Sequence, residues 1–140
     1  MAERGFRLWL GVVTAASLVL RLAYAVGVHG NDEPAGDGFY FHNQALSLSQ
    51  GDGFTSPLVW VYGGENVQAA HHPPLYSVFL ALPSVLGLDS PLAHRVVSCL
   101  AGAATVALVG LLARRLAGGP GTGDRAGLIA ASLAGLYPLL

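Results

Sequence analysis

The sequence predicts an all-α polytopic membrane protein with three transmembrane helices in this chain. Of its 140 residues, 53% are apolar and only 11% are charged, whereas a soluble domain carries about 25% charged residues. Three long apolar stretches, at residues 8–28, 96–113 and 126–140, are the candidate spans. The formal net charge of −1 argues against nucleic-acid binding, because phosphate recognition needs clustered cations.

The cationic residues indicate how the spans are oriented. No lysine or arginine lies between Arg21 and Arg95, although six of the eight acidic residues do. The remaining arginines are Arg4, Arg7, Arg114, Arg115 and Arg125. Because cationic segments stay in the cytoplasm, we expect a cytoplasmic N-terminus and an exported loop at residues 29–95. A multi-pass location in the inner (plasma) membrane follows.

Residues 1–28 contain the cytoplasmic N-terminus and the first span. Residues 8–28 are long enough to cross a hydrocarbon core, which takes about 20 helical residues. Arg21 is the one charge of this span, placed where its side chain can reach lipid headgroups or face a neighbouring helix. An alternative is a signal peptide cleaved after Ala23-Tyr24-Ala25. The spans that follow favour a retained helix.

A first surface-parallel helix is predicted at about residues 37–50 of the exported loop. Phe41, Ala45 and Leu48 recur at helical spacing, which gives the segment one apolar face. Gly51 is a typical residue to end a helix. An amphipathic helix of this kind lies along a membrane surface.

A second interfacial helix is predicted at about residues 74–87. The pair Pro73-Pro74 precedes it, and proline is favoured in the first turn of a helix. The helix is too short to span a bilayer. Upstream of it, residues 59–62 and the following pair Gly63-Gly64 predict a short hairpin.

The C-terminal part of the chain predicts two more spans. Residues 96–116 hold the second span, whose uncharged part is 96–113. Residues 117–125 are rich in glycine and predict a cytoplasmic turn. Residues 126–140 begin a third span without completing it. We therefore expect the chain to be the N-terminal part of a longer protein, and to be inactive alone.

Asp37 is the first candidate for chemistry. It lies between Gly36 and Gly38, which permit close approach of a ligand. Tyr40 and Gln44 follow at helical spacing on the same face, where they could support the carboxylate. An aspartate here could accept a proton from a hydroxyl or an amine. The alternative is an N-cap aspartate that binds free backbone amides.

His71 and His72 are the second candidates, because they precede a helix N-terminus that can bind an anion. Arg95 and Arg21 flank the loop and could also meet a phosphate, or act as interfacial anchors. Tyr76 follows the histidines closely. A zinc site is not favoured, because adjacent histidines point in different directions and no further ligand pattern is present.

A divalent-metal cluster is a further alternative, formed by Asp32, Glu33 and His29 with Asp37. Acidic pairs in loops are usually solvated, so we expect no metal and no other cofactor. The chain has no nucleophile elbow, P-loop or dinucleotide fingerprint, and hydrolase, ATPase and dehydrogenase functions therefore have no support.

The order of short motifs along residues 8–138 adds a resemblance. The motifs are Gly36-Asp37 with Tyr40, Gly51–Phe54, His72–Tyr76, Arg95, and Ala113–Leu116. This order resembles the N-terminal region of C-type glycosyltransferases that use lipid-linked sugars. Within them, the chain looks most like the protein mannosyltransferases that use dolichyl-phosphate mannose and the aminoarabinose lipid A transferases.

The resemblance implies a polytopic helical enzyme that inverts the anomeric centre and uses a polyprenyl-phosphate sugar donor. It implies that Asp37 is the catalytic acid and that His72 meets the donor phosphate. Two departures matter. Relatives in the lipid A group carry lysine at the His72 position, and histidine is a weaker phosphate partner near neutral pH. Many relatives have an Asp-Glu pair at the catalytic position, which makes Asp32-Glu33 a rival.

Two functions are therefore expected. The first is a membrane glycosyltransferase acting on a protein, lipid or glycan acceptor at the outer face. The alternative is a non-catalytic scaffold or transporter subunit whose exported loop binds a partner. Either one places the chain in contact with the lipid bilayer.

Overall fold

The computed structural model describes residues 3–69 and 71–137, and these residues form six helices. In chain order they are α1 (Glu3–Gly27), α2 (Asp37–Gln50), α3 (Pro57–Gly63), α4 (Pro74–Val85), α5 (Pro91–Leu116) and α6 (Thr122–Leu136). The described residues contain no β-strand, only an isolated antiparallel bridge between Thr55 and Gln68. The predicted all-α fold class is therefore confirmed.

Two of the helices are long and apolar enough to cross a membrane. α1 has 25 residues and α5 has 26. Each is therefore roughly 38 Å long, against a hydrocarbon core of about 30 Å. Many of their apolar side chains are exposed, including Val19 (66%) and Leu108 (65%). An apolar helix in a soluble protein is normally buried, so this exposure favours a membrane environment.

Helix α5 begins at Pro91, earlier than the predicted start of the second span at residue 96. Pro91 is the first helical residue, and the hydroxyl of Ser90 accepts a hydrogen bond from the backbone N–H of Ala93 at 3.1 Å. This is a typical helix N-terminus. The sequence predicts a start at residue 96 because the uncharged stretch begins only after Arg95.

Helix α6 begins at Thr122, so the predicted turn at residues 117–125 is shorter than expected. The backbone N–H of Gly121 donates to the carboxylate of Asp124 at 3.1 Å, which stabilises the first turn. The 15 residues of α6 measure about 22 Å, less than the ~30 Å hydrocarbon core. The last part of the predicted third span, residues 138–140, lies outside the described residues.

Helix α3 replaces the short hairpin expected at residues 59–62, and that expectation is wrong. Ser56 is the N-cap residue in extended backbone, and Pro57 occupies the first helical turn. Gly64 ends the helix in the left-handed conformation with a φ of 69°. The β-branched and aromatic residues suggested a strand, but the two helix ends determine the outcome.

The chain divides into two compact units. We call residues 1–28 with 98–140 the terminal unit, and residues 29–97 the loop unit. The core of the terminal unit contains the buried side chains of Phe6, Leu10, Val106 and Ala131. These residues come from α1, α5 and α6, so the three helices share one apolar core.

Glycines allow α5 and α6 to approach closely in the terminal unit. A Cβ atom on Gly127 would lie 2.6 Å from the carbonyl oxygen of Gly110 and 3.0 Å from the Phe6 ring. A Cβ atom on Gly110 would lie 2.6 Å from Leu10. Close contact through small residues is typical of helices that pack within a membrane.

An ion-pair cluster lies at one end of the terminal unit. The guanidinium of Arg114 lies 2.7 Å from the Glu3 carboxylate and 2.8 Å from that of Asp124. It also lies over the Phe6 ring, 4.3 Å from its centroid. Arg114 is only 12% exposed, and ion pairs shielded from water contribute more than exposed ones. The cluster therefore links α1, α5 and α6.

Helices α2 and α4 pack against each other in the loop unit. Ala45 of α2 and Leu80 and Ala81 of α4 are buried, and Phe41 and Leu48 pack around them. The apolar face of α2, which the sequence analysis places on a membrane surface, packs instead against α4. Since α4 follows the two histidines and α2 begins at Asp37, this contact determines where the candidate site forms.

Gly127→Ala should destabilise the terminal unit, because the added methyl group would collide with the Gly110 carbonyl and the Phe6 ring. Overpacking of this kind costs about 1–3 kcal/mol. Gly11→Ala is the matched control, since a Cβ atom there meets nothing within 4 Å. Thermal unfolding of the full-length protein in detergent should show a lower Tm for Gly127→Ala alone. Equal Tm values for both variants would contradict the close packing.

Candidate functional site

Asp37 is the first residue of α2, and its side chain is 82% exposed. Gly36 precedes it as the N-cap residue with a φ of 54°, a conformation that favours glycine. Asp37 therefore does not occupy the N-cap position that the sequence left as its alternative role. A carboxylate in the first helical turn is favoured by the helix dipole, and here it is also open to a ligand.

His72 contacts Asp37, although 35 residues separate them in the chain. The Nε2 atom of His72 lies 3.3 Å from the Oδ1 atom of Asp37. His72 is held just before α4 by Pro73, the N-cap residue, and by Pro74 in the first helical turn. Two residues that the sequence singled out separately thus share one site.

Aromatic rings fix the imidazole of His72. Its centroid lies 4.1 Å from that of Tyr40 and 5.2 Å from that of Phe41, the latter edge-to-face. Its Nδ1 atom is buried and has no hydrogen-bond partner in the described part of the chain. An unpaired buried polar atom costs about 1–3 kcal/mol. Nε2 is left as the ring nitrogen that faces Asp37.

A buried amide holds Tyr40 in place from behind. Gln44 is 1% exposed, and its Nε2 group donates to the hydroxyl of Tyr40 at 2.9 Å and to the carbonyl of Thr55 at 3.3 Å. The hydroxyl of Ser77 donates to the Oε1 atom of Gln44 at 2.6 Å. Gln44 therefore links α2, α4 and the segment before α3 behind the aromatic wall of the site.

The polar network continues along α2. The Thr55 hydroxyl donates to Ser47 at 2.7 Å, and the Ser47 hydroxyl donates to the Gly53 carbonyl at 3.0 Å. Sequence reasoning missed Ser47, Thr55 and Ser77. Tyr40, Gln44 and Ser47 recur at helical spacing, so they form a polar face beside the apolar face of α2. This pattern could have identified Ser47 from the sequence. Ser77 has no such signal, because only the α2–α4 contact brings it to Gln44.

His71 and Tyr76 lie at the exposed side of the site. His71 is exposed, and its ring centroid lies 6.4 Å from that of Tyr40. Tyr76 is 40% exposed and packs edge-to-face on Phe41 at 4.9 Å. Of the two adjacent histidines, His71 is accessible to a dissolved ligand, whereas the Nε2 atom of His72 already contacts Asp37.

The two arginines that flank the loop in sequence bind backbone carbonyls. In the loop unit, Arg95 donates to the carbonyls of His29 and Asp32, the latter at 2.6 Å. In the terminal unit, Arg21 donates to the carbonyl of Ala134 at 3.3 Å, close to the C-terminal end of α6. Helix ends leave carbonyls without partners, and Arg21 provides a donor for one of them at the end of α6.

The rival acidic pair lies in the turn before α2. Asp32 accepts a hydrogen bond from its near neighbour His29, with 2.7 Å between Oδ2 and Nδ1. Within residues 3–69 and 71–137, no group of three or more His, Cys, Asp or Glu side chains is close enough to hold a metal ion. Among the described residues, His29 and Asp32 thus form a local pair, whereas the pair of Asp37 and His72 is brought together by the fold.

Comparisons with protein-family models, curated proteins and solved structures found no match to this chain. The class of protein is therefore described from the structure alone. It is an all-helical chain with two helices able to cross a membrane, and its loop unit pairs an exposed carboxylate with an imidazole. The buried network behind that pair shows that the loop has a specific packed structure.

Ser77→Ala should weaken the packing of α4 on α2, because the Oε1 atom of buried Gln44 loses its donor. A buried acceptor left unsatisfied costs about 1–3 kcal/mol, so amide exchange in α4 should accelerate roughly tenfold. Ser49→Ala is the matched control, since the Ser49 hydroxyl donates to the Leu46 carbonyl of its own helix. Hydrogen-exchange mass spectrometry measures both. Unchanged α4 protection in Ser77→Ala would show that the network does not hold the two helices.

Proposed function

We propose that this protein is a membrane glycosyltransferase that moves a sugar from a polyprenyl-phosphate donor to an acceptor on the outer face of the membrane. The contact between Asp37 and His72 carries the proposal. It joins the exposed acid and the imidazole that the family resemblance picks out, at 3.3 Å and across 35 residues. The acceptor is a protein, a lipid or a glycan that offers a hydroxyl group.

In the proposed reaction, Asp37 accepts the proton of the acceptor hydroxyl as its oxygen attacks the anomeric carbon. The bond between that carbon and the donor phosphate breaks, and polyprenyl phosphate leaves with the bonding electrons. Attack from the side opposite the phosphate inverts the anomeric centre. A general base of this kind contributes about 10²–10⁴-fold to a rate, and the 82% exposure of Asp37 gives the acceptor access to it.

The two histidines have different proposed roles. His72 positions Asp37 by donating from Nε2 to Oδ1. His71 is exposed at the start of α4, where backbone N–H groups without helical partners favour an anion, so it binds the donor phosphate. We assign this phosphate to His71 and not to Arg21 or Arg95, because both guanidinium groups already bind backbone carbonyls.

The proposed membrane arrangement follows the distribution of charge and exposed apolar side chains. α1, α5 and α6 are the three spans, with the N-terminus in the cytoplasm and the loop unit exported. α2 and α4 lie along the outer surface. One side of α4 packs on α2, while Leu75, Leu82 and Leu86 are 79%, 62% and 79% exposed, and these side chains enter the lipid interface.

Asp37→Asn should reduce transfer roughly 100-fold or more, because the amide keeps the shape of the side chain but cannot act as the base. The measurement is transfer from radiolabelled polyprenyl-phosphate sugars in membranes that hold the full-length protein at matched levels. Asp32→Asn is the matched control, since it also removes an exposed carboxylate paired with a histidine.

Each pattern of activity has a distinct meaning. Equal transfer by wild type and Asp37→Asn would remove Asp37 from the mechanism. Loss in the Asp32 variant alone would transfer the role to the Asp32-Glu33 pair. No transfer by wild type with any donor would favour the non-catalytic alternative, a scaffold or transporter subunit whose loop binds a partner.

His71→Asn and His72→Gln should separate binding from chemistry. His71→Asn is expected to raise the KM for the donor with little change in kcat, because the residue meets the phosphate in the ground state as well. His72→Gln should chiefly lower kcat, because Asp37 loses its positioning partner. Steady-state kinetics of the full-length protein with varied donor measures both. A rise in donor KM for His72→Gln alone would reverse the two assignments.

A further inference from the structure

A second histidine cluster lies away from Asp37 in the loop unit. The Nδ1 atoms of His42 in α2 and His94 in α5 are 3.0 Å apart. On the other side of the His94 ring, Nε2 lies 2.8 Å from the hydroxyl oxygen of Ser84 in α4. His94 is 4% exposed and Ser84 6%. Three helices thus meet at one chain of polar groups, in which His94 and Ser84 are buried and His42 is half-buried.

The order serine–histidine–histidine is that of a nucleophile, a base and an orienting group. Burial excludes that role here, because a Ser84 hydroxyl that is 6% exposed cannot reach a substrate. The hydroxyl also lies 3.4 Å from the carbonyl of Leu80 in its own helix. The contribution of the cluster must therefore lie in how it links the helices.

Only one hydrogen atom fits between the two Nδ1 atoms. One imidazole must donate from Nδ1 while the other accepts there. A neutral pair satisfies this requirement, and so does a pair with one added proton, in which charged His42 donates to neutral His94. Two charged imidazoles would bring Nδ1–H against Nδ1–H, so the contact cannot survive a second added proton.

Ser84 is compatible with both forms of the pair. When His94 carries its hydrogen on Nδ1, Ser84 donates to Nε2. When His94 carries it on Nε2, that group donates to the Ser84 oxygen, and the hydroxyl turns to the Leu80 carbonyl. The three groups can therefore exchange tautomers without breaking the links between α2, α4 and α5.

The charges around the pair favour its neutral form. Burial is the largest effect and lowers the pKa of His42 below its ordinary value, and nearby Arg95 acts in the same direction. The carboxylates of Glu33 and Asp89 oppose the shift. Asp89 also acts on His94. These are the charged groups that influence the pair from α5 and from the segments before α2 and α5.

We propose that His42, His94 and Ser84 form a pH-sensitive latch that holds α2, α4 and the start of α5 together at neutral pH and releases them in acid. The assignment is independent of the glycosyltransferase proposal, because it needs no substrate. Since α2 carries Asp37 at its start, release would also loosen the frame of the candidate site. In the membrane arrangement proposed above, the latch would make the exported loop responsive to the acidity outside the cell.

The latch opens when the pair binds its second proton, because the singly protonated pair keeps its hydrogen bond. The direction of the pH effect follows from the lowered pKa of His42: the folded pair binds protons less readily than the separated imidazoles of the unfolded chain. At pH values above about 6.5, the pKa of histidine in an unfolded chain, the latch stabilises the packed helices fully. This stabilisation declines as the pH falls below that value toward the folded pKa, because the open state then binds more protons. Each proton taken up on opening changes the opening equilibrium by up to tenfold per pH unit.

Hydrogen exchange of the full-length protein in lipid nanodiscs at pH 7.5, 6.0 and 4.5 tests the latch. After correction for intrinsic exchange, protection of α2 and α4 amides should fall at least tenfold at pH 4.5 in wild type. In His42→Asn the side-chain amide can donate to His94 without titrating, so this fall should disappear. His29→Asn is the matched control, because it removes another imidazole of the loop unit, and it should behave as wild type.

An equal fall in wild type and His42→Asn, or no fall in wild type, would overturn the proposal. A second measurement does not depend on folding of the variant. In wild type with ¹⁵N-labelled histidine at pH 7.5, NMR should show the pair with one protonated and one unprotonated Nδ1. Two unprotonated Nδ1 atoms would equally overturn the latch.

Discussion

The packing of α4 against α2 is the contact on which the rest of the loop unit depends. It buries Ala45, Leu80 and Ala81 together, and beside them it buries the bond between Ser77 and Gln44. The apolar contacts supply most of the attraction, since burial of apolar surface is the main favourable term in folding. The polar bond sets the register, because sliding either helix would leave a buried amide unsatisfied.

The candidate catalytic pair and the proposed histidine latch both depend on this register of α2 against α4. With Gln44 seated against Ser77, Tyr40 is held against the ring of His72, and His72 meets Asp37. On the same two helices, His42 of α2 contacts His94, and Ser84 of α4 contacts the other side of the His94 ring. The helix pair thus carries both an exposed acid and a titratable histidine pair. A change that separates the helices would affect both.

The sequence predicts the all-α class, and its helical patterns at about residues 37–50 and 74–87 correspond to α2 and α4, because these features depend on local patterns. The spacing of Phe41, Ala45 and Leu48 indicates α2, and it also identifies the face that packs on α4. The α3 region fails, because β-branched and aromatic residues in Val59–Tyr62 outweighed the helix signals of Pro57 and Gly64. The helix ends, and not the local composition, determine the structure of this segment.

The candidate site likewise contains residues that local sequence patterns place together and residues that only tertiary packing brings into contact. Asp37, Tyr40 and Gln44 share one helix, so their spacing alone places them together. The contact of Asp37 with His72 spans 35 residues, and that of His42 with His94 spans 52. No periodicity in one sequence reports such pairs, because they arise from tertiary packing. The roles of Arg21 and Arg95 were equally hidden, since their partners are backbone carbonyls that every residue carries.

The most direct test of this account is the distance between the Asp37 carboxylate and the His72 imidazole in a cryo-EM structure of the full-length protein in a lipid nanodisc. The account predicts a contact close to the 3.3 Å found here, with Gln44 buried between Tyr40 and Ser77. A structure in which α4 leaves α2 and enters the bilayer, so that Asp37 and His72 lie too far apart for any hydrogen bond, would contradict it.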